Sequence, residues 1–86
     1  MNWISVDDGM PKVNTPVFVA DKDFLNTMLA EYASTPDGRL WAKIYDSVSG
    51  YKGKWDCSES EIDDDYGADI AFWHPLPEIP YKEKKQ

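Results

Sequence analysis

Asn26-Thr27-Met28-Leu29-Ala30-Glu31-Tyr32-Ala33 and Leu40-Trp41-Ala42-Lys43-Ile44-Tyr45 stand on either side of Ser34-Thr35-Pro36-Asp37-Gly38. Alone, the first segment is ambiguous. Met28, Ala30 and Tyr32 share one face at period two, whereas Leu29, Ala30 and Ala33 suit a helical turn. The centre is a turn with a mechanism, because Pro presets one torsion and Gly accepts positive φ. Two apolar runs joined by so short a loop read as a β-hairpin. That assigns Thr27–Ala33 to strand.

Outward from this hairpin, Pro16-Val17-Phe18-Val19-Ala20 is β-branched and aromatic, as a buried strand would be. Trp3-Ile4-Ser5-Val6 is a short apolar run ended by Asp7-Asp8-Gly9-Met10-Pro11. Ile70-Ala71-Phe72-Trp73 is the last strand candidate. Pro75, Pro77 and Pro80 then oppose helix or central strand and predict an extended strap. The expectation is a small all-β domain: an antiparallel sheet of three to five strands, capped by the Trp3 segment and the proline-rich strap. The class becomes α+β only if Asn26–Ala33 is helical. Trp3, Trp73, Pro75, Leu76, Pro77 and Pro80 are the expected structural residues, with Trp3, Trp73, Leu76 and Ile79 covering the apolar face. A buried indole is worth about 4–6 kcal/mol before entropy is subtracted.

Eighty-six residues allow one domain, here 1–80, with 81–86 as a polar, fraying tail. No apolar run nears the ~20 residues of a membrane span, and Met1-Asn2-Trp3 opens no signal peptide, so a cytoplasmic protein without membrane contact is expected. A single cysteine excludes an internal disulfide and a cysteine-only zinc site.

The net charge of -7 comes from 16 acids against 9 bases. Asp56, Glu59, Glu61, Asp63, Asp64, Asp65 and Asp69 fall in one stretch without a base, and the remaining chain is neutral. Such a field repels phosphate backbones, so nucleic acid is not an expected partner. It attracts a basic protein surface instead. Residues 46–69 read as an acidic surface loop or insertion, with room for one helical turn.

The termini carry a family signature. Trp3-Ile4-Ser5-Val6 and Trp73-His74-Pro75-Leu76-Pro77-Glu78-Ile79-Pro80 resemble the W-I-S-V opening and W-x-P-L-P-E-x-P close of domain-of-unknown-function family 551. Where that family commonly has His-Trp, this chain has Phe72-Trp73-His74. The resemblance implies a small bacteriophage or prophage protein of the bacterial host cytoplasm, and it brings no catalytic residues.

Several chemistries compete. His74, the only histidine, could act as a base with an acid from Asp63–Asp69, but a hydrogen-bonded place in the strap is the simpler reading. Cys57 lies among acids that raise its pKa. Glu61–Gly67 alternates acids, yet its Gly is one place late for a calcium loop and Phe72 occupies the last ligand position. Pro77-Glu78-Ile79-Pro80 is a P-x-x-P that suits an intramolecular strap better than a foreign groove. Tyr51 and Trp55, flanked by Lys52 and Lys54 in a Gly-containing loop, are the expected exposed aromatics.

No catalytic residue, cofactor or resident metal is therefore expected. The expected function is a non-enzymatic protein-binding module, its surface formed by Tyr51, Trp55, Glu59, Glu61, Asp63, Asp64, Asp65 and Asp69. By imitating a phosphate ladder it could inhibit a host nucleic-acid-binding or defence protein. The alternatives are a small hydrolase or metal-dependent enzyme using His74, and a passive self-associating protein.

Overall fold

The computed structural model describes residues 2–80. Strand β3 (Thr27–Thr35) and strand β4 (Gly38–Ile44) form the anticipated hairpin. The turn is tighter than the sequence suggests. Only Pro36 and Asp37 lie outside the strands, with Thr35 paired to Gly38. The Thr35 hydroxyl donates to the Gly38 carbonyl (2.8 Å) and accepts from the Asp37 N–H (3.1 Å). Gly38 takes φ 115°, a conformation costly for any residue with a Cβ.

Strand β2 (Pro16–Ala20) pairs with β3 on its other side. Asn14, at φ 58°, stitches the approach to β2 onto β3: its N–H donates to the Tyr32 carbonyl, and its side chain accepts from the Ser34 N–H. Strand β1 (Ile4–Ser5) and strand β8 (Phe72–Pro75) pair with each other, and β8 pairs with β2. Strand β7 (Ser60–Ile62) closes the far edge against β4. All pairings are antiparallel, in the order β1-β8-β2-β3-β4-β7. The main sheet thus has six strands rather than three to five. The extra strands are short edge pieces whose sequences carry little apolar periodicity.

Two other expectations are corrected. Residues 46–69 are not a loop. They fold as the hairpin β5 (Val48–Tyr51) and β6 (Lys54–Cys57), then β7, then helix α1 (Asp64–Asp69). The final strand also runs into the prolines and lies inside the sheet. Pro75 is tolerated as its last residue, where the ladder stops. The strap proper is Leu76–Pro80. The frayed tail expected over 81–86 lies outside the described residues.

Partners in an antiparallel register share a face. Val17, Ala30, Tyr32 and Trp41 fall on one face, with Val19 and Trp73. There α1 and the segment after it cover the sheet, and Val17, Val19, Ala30, Trp41 and Ile70 form the core. The other face carries Pro16, Phe18, Ala20, Glu31, Ala42 and Ile44, and β6 lies against β2 there. Trp3 and Trp73 occupy opposite faces. The Trp73 indole donates to the Gly9 carbonyl (2.9 Å), whereas Trp3 meets His74 and Phe24 edge-on. The terminal indoles therefore seal two layers, not one.

Candidate functional site

The acidic segment is built on local capping chemistry. Asp63 is the N-cap of α1, its carboxylate accepting from the Tyr66 N–H (3.0 Å). Asp64 and Asp65 in the first turn complement the helix dipole. Gly67 lowers helix propensity but lets α1 approach Trp41, since a Cβ there would stand 3.2 Å from that of Trp41. Tyr66 fills the remaining gap, its hydroxyl donating to the Leu29 carbonyl (3.4 Å). Burial and the neighbouring Asp63 charge push the Tyr66 phenol up to about 12.

At the start of the segment, the Ser58 hydroxyl and the Ser47 N–H hold the Asp46 carboxyl below its ordinary range. Glu31 ties the segment to the sheet by accepting from the Ser60 hydroxyl (2.7 Å) and, weakly, from the Cys57 thiol (3.9 Å). Burial first, then the Glu31 and Asp56 charges, raise the Cys57 thiol, which opposes thiolate chemistry.

The eight expected surface residues do not form one patch. Tyr51 is 66% exposed beside the β5–β6 turn, with the Lys52 ammonium over its ring at 5.5 Å. Trp55 is engaged rather than free. Its indole donates to the Pro77 carbonyl (2.8 Å), and on the paired strand Gly50 admits the Ile79 side chain. The P-x-x-P strap is thus laid on the protein's own hairpin. Glu61 shares the α1 face, paired in register with Lys43, whose ammonium lies 5.3–5.4 Å from the rings of Tyr45 and Tyr66. Asp64, Asp65 and Asp69 are exposed on α1. Glu59, Glu61, Asp64 and Asp65 therefore form an exposed rim on and beside the β7 edge, Asp69 lies at the far end of α1 toward the β2–β3 loop, and the hairpin aromatics lie on the other face.

His74 pairs with Phe18, on the face opposite α1, so the fold keeps it away from Asp63–Asp69. Its Nδ1 lies 2.7 Å from its neighbour's carbonyl, the Pro75 oxygen. Among the described residues, no three of His, Cys, Asp and Glu gather closely enough to hold a metal ion, and no helix is long and apolar enough to cross a membrane. The alternating acids of Glu61–Gly67 are divided between a strand and a helix, so they do not converge.

A cleft missed by sequence reasoning lies on the α1 face. It measures about 530 Å³ and opens between the β2–β3 loop and the end of α1, with Val19, Met28, Ile70, Asp21, Asp23 and Asp69 among its lining. Its only sequence signal is the pair Asp21-Lys22-Asp23 and Asp69, far apart in the chain.

The motifs at the two termini are one structural unit, since Ile4 faces Trp73 and Ser5 faces Phe72 across the β1–β8 pairing. Over residues 2–81 the chain matches the family described as Protein of unknown function (DUF551). The chain belongs to that family. No curated protein and no solved structure matches it. In this DUF551 chain the two terminal segments form a strand pair at one side of the sheet, with Trp73 on one face and Trp3 on the other.

Proposed function

We propose that this DUF551 protein is a non-enzymatic binding module that captures a protein with a basic surface through the rim formed by β7 and α1. The observation that carries the reading is the exposure of Glu59, Glu61, Asp64 and Asp65 on and beside the β7 edge strand. A charged edge strand also resists pairing with a second copy of itself. Its field steers a cationic partner and weakens with salt. A bacteriophage or prophage protein acting on a host protein that binds nucleic acid fits this field.

The test is affinity capture from a bacterial lysate with the native chain and with the triple variant Glu61→Gln, Asp64→Asn, Asp65→Asn. Asp63 is left in place because it caps α1. A discrete basic protein retained by the native chain, and lost with the variant or in high salt, is the expected result. Equal capture by a correctly folded variant rejects the reading.

A further inference from the structure

The cleft beside α1 has two unlike components. Its floor is apolar, with Val19 and Ile70 buried and Met28 still 39% exposed. Small side chains, those of Ala68 and Ala71, line it, and the Ala71 N–H donates to the Ala20 carbonyl (2.9 Å). Its rim is anionic. Asp23 and Asp69 are exposed there, and Lys22 is the one basic residue in the lining.

Asp69 is poorly placed for the helix it ends. A carboxylate at the carbonyl end of a helix dipole is unfavourable, and the last turn of α1 holds no basic residue. A cation arriving in the cleft would relieve that arrangement.

The opposite wall is preset. Burial opposes ionisation of Asp21, but the N–H groups of Leu25 and Asp23 and the Asn26 amide outweigh it and hold the carboxyl below its usual range. Phe24 sits at φ 56°, a left-handed conformation rare for an aromatic residue. Its ring is fixed by stacking on Phe72 (4.9 Å) and by the edge of Trp3 (5.5 Å). The same loop leaves Leu25 80% exposed.

We propose that this cleft receives a Lys or Arg side chain of the partner, its aliphatic stem on the apolar floor and its cation at the Asp23 and Asp69 carboxylates. Charge complementarity selects this occupant, because long cationic side chains combine an apolar stem with a charged head. The volume lies within the range of ordinary ligand sites. The assignment rests on the binding-module reading and gives it an anchor point.

The test is a titration of the full chain, followed by ¹⁵N amide shifts at low salt. The probes are N-acetyl-lysine methylamide and N-acetyl-arginine methylamide, with N-acetyl-norleucine methylamide as the uncharged control. Saturable shifts at Asp21–Asn26 and Ala68–Ala71 with the cations, about fivefold weaker with norleucine, are the expected result. The double variant Asp23→Asn, Asp69→Asn should weaken them by about fivefold. Ala68→Leu, which fills the cleft without changing charge, should abolish them.

Equal response to norleucine overturns the proposal, as does no saturable shift with either cation. Shifts centred on Ser60–Asp65 that ignore both variants also overturn it, while leaving the acidic rim intact as a binding surface. Cleft filling that survives when lysate capture ignores the rim variant supports the cleft and rejects the rim.

Discussion

Two hairpins in this chain have similar local chemistry and different fates. In β3–β4, Trp41 is 8% exposed and sits in the core beneath α1. In β5–β6, Trp55 is only half-buried and is held by one hydrogen bond to a strap from the other end of the chain. Both turns leave two residues outside the strands. Pro36-Asp37 followed by Gly38 announces its turn. Lys52-Gly53, with φ values of 50° and 80°, places a lysine where Asn is usual. An isolated two-stranded hairpin is marginal in water. Incorporation into the sheet stabilises the first, and contacts with Glu31 and the strap hold the second.

Replacing the two tryptophans separates them most sharply. Trp41→Ala empties the site where β4, Tyr32 and α1 meet and should cost about 3–5 kcal/mol. For a domain this small, that loss would leave much of the chain unfolded in urea titrations at ambient temperature. Trp55→Phe keeps a ring and removes only the N–H to Pro77. It should cost about 1 kcal/mol, read as a small drop in urea midpoint with faster amide exchange confined to Val48–Cys57. Equal losses at the two sites would show that the second hairpin is as integral as the first.

On the helix side, the core hairpin meets an alkaline limit. The Tyr66 phenol titrates higher in the folded chain than the ordinary value of 10.0, so its contribution is intact below pH 10 and lost as pH rises toward about 12. After discounting for partial exposure, the loss is about 1 kcal/mol, a fall of roughly 4–8 °C in Tm across that window. In Tyr66→Phe this part of the decline should disappear. The smallest effect belongs to the hairpin tip: Tyr51→Ala should change stability by no more than about 0.5 kcal/mol, by thermal melting.

The legible part of the fold was its local part. Ser34–Gly38 announced β3–β4, and Pro16–Ala20 announced β2, because turn chemistry and β-branched runs act over neighbouring residues. The segment 46–69 reads as a loop in sequence because β5, β6 and β7 are short and carry few apolar residues. Their strand state depends on Glu31 and the strap, both distant in sequence. For the candidate site, the sequence shows the acids but not their arrangement. Asp63 is a helix cap, Trp55 is occupied by Pro77, and Asp69 lines the same cleft as Asp23 only because α1 folds back over the sheet.

Composition, alternation and turn residues are local properties, and they suffice for an all-β antiparallel chain whose net negative charge comes from one segment. Long-range packing, by contrast, sets the fold of this segment into β5, β6, β7 and α1, the placing of the terminal tryptophans on opposite faces, and the cleft beside α1. Those outcomes depend on close approach between residues distant along the chain, at Gly67 against Trp41 and Gly50 against Ile79. Packing distances of that kind are set by the whole fold.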